Sequence, residues 1–394
     1  MTVSDRTHQL FSLPEGIVYL DGNSLGPLTH GARERIRRET EASWGQGLIG
    51  SWNAAGWMEL PERVGDRIAR LIGAEPGTVT VADSTSINLY KVLMAAPVAP
   101  GRTRILTDKG NFPNDLYVAH GVARDRGLIL DMVETGAVAD ALDETVAILM
   151  LTEVDYRTGR LHDINTLTER AHAVGAIAIW DLCHSAGALP VDLKASNADY
   201  AVGCGYKYLN GGPGAPAYVY VRPDRAGGLA TSLQGWMGHA DPFAFSPDYR
   251  PRPNVHRLRT GTPPILSLAA LDAALDVWDG VTIDEVRADS IALSERFIAE
   301  VERRCPFLTL ASPREPARRG SQVSFHCAEG YAVMEALIAN GVVGDFRAPD
   351  IMRFGLAPLF NTEAEIVLAA ETLERVLRER LHERPEFTQR KQVT

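Results

Sequence analysis

Six short apolar runs constrain the fold of this chain more than any other feature of its sequence. They are TVTVAD (78–83), TRILTD (103–108), VAILMLTEV (146–154), AIAIWD (176–181), YAVGCG (200–205) and PAYVYV (216–221). Runs of this length and apolarity are typical of strands buried on both faces. Segments with helical periodicity, such as INLYKVLMAA and NTLTERAHAVG, lie between several of them. This alternation predicts an α/β domain with a mainly parallel sheet covered by helices.

After TGTPPILSL the pattern changes from strand–helix alternation to longer helices. LAALDAALDVW and VTIDEVRADSIALSERFIAEVERR have helical periodicity, and the shorter strand-like runs SQVSFHC and IMRFGL follow them. A last helix begins near Thr362, with Glu365 as the second residue of a capping box. Because 394 residues are too many for one small core, we predict a large domain over residues 50–275 and a smaller α+β domain made of residues 1–49 and 276–394.

The net charge and the cysteines of the chain indicate which kinds of binding partner to expect. The formal net charge of −10 disfavours a nucleic acid or an anionic membrane surface. The first residues show no basic, apolar leader, and no segment reaches membrane-spanning length. The four cysteines have no paired spacing, which predicts neither structural disulfides nor a metal site. We therefore expect a reduced, cytoplasmic protein that acts on a small molecule.

One stretch matches a known nucleotide-binding motif in sequence, but the residues before it do not fit that motif. GQGLIG (45–50) fits the dinucleotide fingerprint GxGxxG, but a charged helical run precedes it where the fingerprint requires a strand. The sequence also lacks GxxxxGK[ST], HExxH, GxSxG and paired CxxC. The usual signals of nucleotide hydrolysis, zinc proteolysis and serine esterase chemistry are therefore missing.

Polar residues follow three of the predicted strands, at the carboxyl ends where open α/β sheets bind ligands. DSTS (83–86) stands between a strand and a helix, and hydroxyl groups at a helix N-terminus can bind phosphate. Asp181 ends an apolar strand, where a carboxylate is costly to bury unless it meets a cation or a strong donor. Lys207 follows the next strand, between two tyrosines and before the glycine-rich NGGPG.

Together these three features fit pyridoxal phosphate. An aspartate can hold a protonated ring nitrogen, a lysine can form an imine with the aldehyde, and a hydroxyl-lined helix terminus can bind the phosphate. Each feature alone has a simpler explanation, since aspartate and serine cap helices everywhere and a loop lysine is usually solvated. Their occurrence in this order favours a pyridoxal-phosphate enzyme.

The chain resembles the kynureninase family, pyridoxal-phosphate enzymes of the aminotransferase class V superfamily with fold type I, over essentially its whole length. The stretches that carry the resemblance are YLDGNSLGPL (19–28), NFPNDLY (111–117), YRTGRLHDI (156–164), DLCHSAG (181–187), GYKYLNGGPG (205–214), GWMGH (235–239), GTPPILSL (261–268) and MRFGLAPLF (352–360). YLDGNSLGPL together with GYKYLNGGPG is highly specific, whereas DxxH…K alone indicates only the superfamily.

The resemblance implies a role for each matching residue. Lys207 would hold the cofactor and act as the base, Asp181 would pair with the ring nitrogen, and Tyr206 would be the acid; these are the predicted catalytic residues. Beside them, the predicted cofactor-binding residues are Ser84, Thr85, Phe112, Asp115, Thr152, His184, Trp236 and Thr262. The predicted substrate-binding residues are Arg353, as a two-pronged clamp on the α-carboxylate, Gly261, Thr262 and Trp52, with Trp57 as the alternative to Trp52.

The activity that the resemblance implies is hydrolysis of L-kynurenine to anthranilate and L-alanine, in tryptophan catabolism and NAD biosynthesis, by a homodimer with shared active sites. Gly261 and Thr262 follow the bacterial pattern, whereas animal enzymes that prefer 3-hydroxykynurenine carry serine and asparagine there. The unsubstituted substrate ring is therefore expected to be preferred.

Two alternatives stay open. A cysteine desulfurase or selenocysteine lyase would need a nucleophilic cysteine on a mobile loop, and neither Cys305 nor Cys327 stands in such a context. A catalytically silent pyridoxal-phosphate-binding protein would keep Lys207 without turning over any amino acid.

Overall fold

The computed structural model describes residues 1–389. In this range the helices are α1 (Val3–Thr7), α2 (His30–Arg38), α3 (Ser51–Ala54), α4 (Leu60–Leu71), α5 (Thr85–Ala95), α6 (Pro113–Arg126), α7 (Ile164–Ala173), α8 (Leu193–Ser196), α9 (Pro223–Ala226), α10 (Ile265–Ala274), α11 (Ile283–Arg304), α12 (Gly330–Ala339), α13 (Glu363–Arg378) and α14 (Pro385–Thr388). The strands are β1 (Val18–Tyr19), β2 (Val79–Val81), β3 (Arg104–Asp108), β4 (Ile129–Val133), β5 (Val146–Thr152), β6 (Ile177–Asp181), β7 (Tyr200–Gly203), β8 (Tyr218–Val221), β9 (Thr309–Leu310), β10 (Gln322–His326), β11 (Val342–Val343), β12 (Asp345–Arg347) and β13 (Ile351–Gly355).

The central sheet has seven strands in the order β2-β8-β7-β6-β5-β3-β4. β4, β3, β5, β6 and β7 are parallel, whereas β8 pairs antiparallel with β7 and with β2. Each of the six apolar runs forms a strand of this sheet, and helices lie between most of them. The prediction of an α/β fold with a mainly parallel sheet is confirmed.

Alternate residues of the central strands enter two different hydrophobic cores. Leu149 and Leu151 of β5 pack in one core, and Ile148 and Met150 of the same strand pack in the other. Because successive side chains of a strand point to opposite faces, both faces of this sheet are covered. This double burial explains why the strands read as continuous apolar runs.

The sequence patterns did not predict two features of the sheet. β4 lies at its edge, where Ile129 is exposed and Asp131 interrupts the apolar pattern, so the strand has no strong signal. β8 is apolar throughout, and its composition does not reveal that it runs against its neighbours. The chain returns from β7 to β8 without a crossover helix, which makes the antiparallel pairing possible.

A second sheet, in the order β12-β13-β10-β9, is antiparallel and packs with α11, α12 and α13. Its core centres on Phe297, whose ring lies 5.0 Å from that of Phe354 and 6.1 Å from that of Phe325, between centroids. The predicted capping box of Thr362 and Glu365 is present at the start of α13. The division into residues 50–275 and residues 1–49 with 276–394 stays a prediction.

Between residues 1 and 389, no helix combines the length and the apolar character that crossing a membrane requires.

Candidate active site

A cavity of about 440 Å³ lies at the carboxyl ends of the central strands. β5 and β6 end at its wall, the loop after β7 enters it, and α5 and α6 begin beside it. It brings together nine of the residues predicted from the sequence: Ser84, Thr85, Phe112, Asp115, Thr152, Asp181, His184, Tyr206 and Lys207.

Two carboxyl groups lie close together in this cavity. Asp181, the last residue of β6, accepts a hydrogen bond from the backbone N–H of Cys183 at 2.6 Å. Asp115, in the first turn of α6, accepts a bond from Asn114 at 3.3 Å. Burial, and then the charge of Asp181, raise the pKa of Asp115 well above its usual range. The neutral form of Asp115 is therefore favoured relative to an ordinary aspartate.

Lys207 is held against an uncharged histidine. Its Nζ lies 2.9 Å from His184 Nε2 and 5.9 Å from the ring centroids of Phe112 and Tyr206. Burial, and then the nearby Lys207 cation, lower the pKa of His184 well below its usual value. A neutral imidazole accepts a hydrogen bond from the ammonium group, so His184 directs the lysine Nζ within the cavity.

The loop that carries Lys207 is braced by the N-terminal part of the chain. The N–H of Gly26 donates to the carbonyl of Tyr206 at 2.7 Å, and the N–H of Asn210 donates to the carbonyl of Lys207 at 2.9 Å. A Cβ on Gly26 would lie 2.3 Å from the Lys207 carbonyl oxygen, so only glycine fits there. This contact gives a physical reason for YLDGNSLGPL and GYKYLNGGPG to occur together.

The N-terminus of α5 presents hydroxyl groups to the same cavity. Ser84 is the N-cap, and Thr85 and Ser86 begin the helix. Asp83, just before the cap, adopts φ of +50° and forms an ion pair with the buried Lys91, which also donates to the Leu258 carbonyl at 2.7 Å. The ion pair with Lys91 thus stabilises the strained turn at Asp83. The N-terminus of the eleven-residue helix α5 is available to bind an anion.

These groups fit pyridoxal phosphate. The Asp181 carboxyl group suits a protonated ring nitrogen, the hydroxyl-lined terminus of α5 suits the phosphate, and Lys207 provides the amine. Phe112 keeps 40% of its surface exposed at the cavity wall, which leaves a ring face for stacking.

Five predicted residues do not line this cavity: Arg353, which is described below, and four others. Trp236 lies in a separate surface pocket, with its ring centroid 5.9 Å from that of Phe243. Gly261 and Thr262 are exposed in the loop before α10. Trp52 packs edge to face on Trp57, with 5.6 Å between ring centroids. Their predicted roles in cofactor and substrate binding stay predictions.

Arg353 is buried in β13, and its donors are occupied by groups of this chain. Nε donates to Asp345 at 2.7 Å and Nη2 pairs with the same carboxylate. Nη1 donates to the Tyr156 carbonyl at 2.5 Å, and Nη2 also donates to Ser24 Oγ at 2.7 Å. Although burial opposes it, the Arg353 cation holds the pKa of Asp345 below its usual value. The two-pronged pair predicted for a substrate is thus already formed, with an internal carboxylate.

The cavity wall also contains residues that the sequence patterns did not single out. Most lie inside quoted motifs, directly beside a predicted residue, and adjacency was the signal that could have found them. They are Asn114, Tyr156, Cys183, Cys204, Ala215 and Ala217; the wall also contains Asp83 and Ser86 of the predicted DSTS turn and Gly214 of NGGPG.

Comparison with known proteins gives one consistent family. The family model described as the kynureninase C-terminal domain matches residues 286–373. The chain is 48% identical over 396 residues to kynureninase of Pseudomonas fluorescens, across 98% of this chain and 95% of that protein. It is 46% identical over 394 residues to kynureninase of Burkholderia pseudomallei strain 1106a, with the same coverage.

Solved structures with this fold share much less sequence. C-DES, solved with glycine covalently linked to its PLP cofactor, superposes with a TM-score of 0.79 at 18% identity, over 91% of this chain and 97% of that one. The cysteine desulfurase of Thermococcus onnurineus NA1 gives 0.80 at 17% identity, over 96% and 99%. At these identities the likeness concerns the fold alone.

Proposed function

The chain belongs to the kynureninase family, and from that premise we propose that its cavity hydrolyses L-kynurenine to anthranilate and L-alanine with pyridoxal phosphate as cofactor. The convergence of Lys207, Asp181 and the N-terminus of α5 on one cavity carries the proposal. The desulfurase alternative is disfavoured because the relatives at 46–48% identity are kynureninases, whereas the desulfurase of known structure shares only 17%.

The residues present would hold the cofactor at three points. Lys207 would hold its aldehyde, Asp181 its ring nitrogen, and Ser84 with Thr85 its phosphate. When bound, pyridoxal phosphate supplies an electron sink for bonds broken at the substrate carbon next to the amine.

In the proposed reaction Lys207 accepts a proton, and His184 orients the Lys207 amine. The lysine Nζ lies 2.9 Å from the neutral imidazole, which fixes its direction. Lys207 would hold the cofactor and would also take the substrate α-proton through the same Nζ, so it would be both the anchor and the general base.

Asp181 would pair with the protonated ring nitrogen. Burial and the charge of Asp181 raise the pKa of Asp115, which favours its neutral form, so Asp115 would compete less for that nitrogen as a second anion.

Tyr206 is suited to act as an acid. Burial, and then the nearby Cys204, Cys183 and Asp181, raise the pKa of Tyr206 well above its usual value, so its hydroxyl keeps its proton. We assign it the proton delivered to the carbon that becomes the methyl group of alanine.

The activity is tested by mixing the cofactor-loaded protein with L-kynurenine and following anthranilate fluorescence, with 3-hydroxykynurenine assayed in parallel. We expect anthranilate, and a kcat/KM for L-kynurenine about tenfold higher, because Gly261 and Thr262 offer no dedicated partner for an added ring hydroxyl. A cofactor-loaded protein that makes no anthranilate would contradict the function. Equal or better turnover of 3-hydroxykynurenine would contradict only the preference.

We propose that Arg353 binds the substrate carboxylate by exchanging the bonds that Nη1 makes to the Tyr156 carbonyl and Nη2 makes to Ser24 for bonds to the substrate, while Asp345, bonded to Nε, keeps the orientation of the guanidinium plane. Arg353→Lys keeps the charge beside Asp345 and loses the planar fork. It should raise KM by about 10- to 100-fold, with a smaller change in kcat. Arg347→Lys is the matched control, because Arg347 pairs with the same Asp345 oxygen at 2.8 Å and is partly exposed. Equal losses in both variants would contradict the clamp, because they would arise from the disturbed Asp345 that both arginines contact, and an unchanged KM in Arg353→Lys would show that the pocket needs only positive charge.

A homodimer is the expected assembly. Large apolar side chains are exposed on the loops near Trp236 and on the segment after α2; Phe245 is 80% exposed and Ile49 81%. A second copy would cover such surface, and two-fold pairing is the commonest symmetric assembly. Sedimentation at assay concentrations should show a dimer. A fully active monomer would rule this out and, with it, a role for a partner's Trp236 or Thr262.

The cellular setting follows from the proposed reaction. An enzyme that cleaves L-kynurenine belongs in the kynurenine pathway of tryptophan catabolism, which also leads to NAD biosynthesis. Four free cysteines within residues 1–389 support a reducing, cytoplasmic location.

A further inference from the structure

Two cysteines stand opposite each other beneath the proposed cofactor site. β6 and β7 are parallel, with Asp181 opposite Val202, and the ladder continues beyond β6 because the N–H of Leu182 donates to the Val202 carbonyl at 2.8 Å. Two residues further along the chain from Asp181 and Val202 are Cys183 and Cys204, just beyond the ends of β6 and β7. Neighbouring strands lie about 4.8 Å apart, which is within the range of roughly 4.4 to 6.8 Å between Cα atoms of disulfide-bonded cysteines.

The two thiols also touch. Cys204 Sγ lies 3.8 Å from the Cys183 carbonyl oxygen, and the two side chains share a hydrogen bond. Both line the cavity, and no step of the proposed reaction uses either. The other two cysteines, Cys305 and Cys327, belong to the core of the second sheet.

The surroundings shift the pKa values of the two thiols in opposite directions. The hydrogen bond to Cys204, with burial and the charge of Asp181, raises the pKa of Cys183 well above its usual value. Although burial opposes it, the hydrogen bond from Cys183 and the nearby Lys207 lower the pKa of Cys204. Cys204 is therefore the thiol that more readily reaches the reactive thiolate form.

We propose that Cys183 and Cys204 form a reversible disulfide when the cavity lacks its cofactor and meets a peroxide, and that this disulfide excludes the cofactor. The Cys204 thiolate attacks one peroxide oxygen, the O–O bond breaks, and a sulfenic acid forms as the first water leaves. Cys183 sulfur then attacks Cys204 sulfur, the S–O bond breaks, and the second water leaves. The two thiols lose two protons and two electrons, and the peroxide is reduced to water.

The disulfide would exclude the cofactor because of the contacts that Cys183 makes. Its N–H donates to Asp181 at 2.6 Å, and its Sγ lies 3.6 Å from Thr85 Oγ1. Drawing Cys183 toward Cys204 shifts its contacts with the proposed nitrogen partner and with the proposed phosphate site at once. Conversely, a bound cofactor covers both thiols.

The first test compares the protein with and without cofactor after treatment with hydrogen peroxide. Without cofactor, the intact mass should fall by two hydrogen atoms, and the tryptic peptides 171–194 and 195–207 should be recovered as one cross-linked species that a dithiol separates. With cofactor, the cross-link should be at least about tenfold rarer. Cys327→Ser should behave like the wild type, and Cys183→Ser should instead give a sulfenic acid on Cys204. Equal cross-linking with and without cofactor, or cross-links through Cys305 or Cys327, would overturn the proposal.

The second test measures cofactor binding directly, by titration of the peroxide-treated protein with pyridoxal phosphate. Affinity should fall at least about tenfold and return after dithiol treatment, whereas in Cys204→Ser, which lacks the thiol that peroxide attacks first, it should be the same before and after peroxide. Unchanged affinity in the cross-linked protein would refute the exclusion. The proposal depends on cofactor binding and not on the kynurenine reaction, so an inactive protein that still binds the cofactor can test it.

Discussion

Lys207→Ala is expected to lower kcat for L-kynurenine by about 10⁴-fold, because one change removes both the covalent anchor and the base. The variant should still fold, since the Lys207 backbone contacts that close the loop do not involve its side chain. Borohydride treatment of the wild-type protein should fix the cofactor on the peptide that contains Lys207, and the variant should give no such label.

Lys194→Ala is the matched control, because Lys194 is exposed and pairs with Glu75 at 2.7 Å. It should keep both the activity and the label. Among the lysines within residues 1–389, the buried Lys91 is the competitor, since it pairs with Asp83 at the cavity. A label on Lys91, or near-normal turnover in Lys207→Ala, would contradict the assignment of the active site.

Asp181→Asn is expected to lower kcat by about 10² to 10³-fold, because the amide cannot hold a proton on the ring nitrogen as a carboxylate can. The asparagine Oδ1 can still accept the 2.6 Å bond from Cys183, so the fold and the covalent attachment of the cofactor should survive. Turnover is measured with a melting curve and a cofactor absorbance spectrum of the same sample.

Asp192→Asn is the matched control, because it replaces a helix-capping aspartate by asparagine at a position outside the cavity. Asp192 caps α8 by accepting from the N–H of Ala195 at 2.8 Å and lies outside the cavity wall. If Asp181 were only a cap, both variants would keep near-normal rates, and that result would remove the ring-nitrogen role.

The sequence predicts the central strands and the cavity residues that directly follow them, for a local reason. A strand that is buried on both faces has a continuous apolar sequence, so a polar residue at its end, like Asp181, is easy to recognise. Contacts between distant segments leave no such local signal. The pairing of Arg353 with Asp345 depends on antiparallel register between β12 and β13, and the bond from Gly26 to Tyr206 joins residues far apart in the chain. Only the family resemblance linked those segments before the fold was known.

The antiparallel strand β8 also affects the order in which the site is completed during synthesis. β2, which leads into the phosphate-binding turn, pairs in the sheet only with β8. A ribosome makes Val81 long before Tyr218, so β2 emerges without its neighbour and waits while the intervening strands are synthesised. Loop closure over this distance is slow relative to pairing of adjacent segments. We therefore expect the nascent chain to complete the proposed cofactor site only after the Lys207 loop and β8 have left the ribosome, and chains truncated before Tyr218 to fail to bind the cofactor.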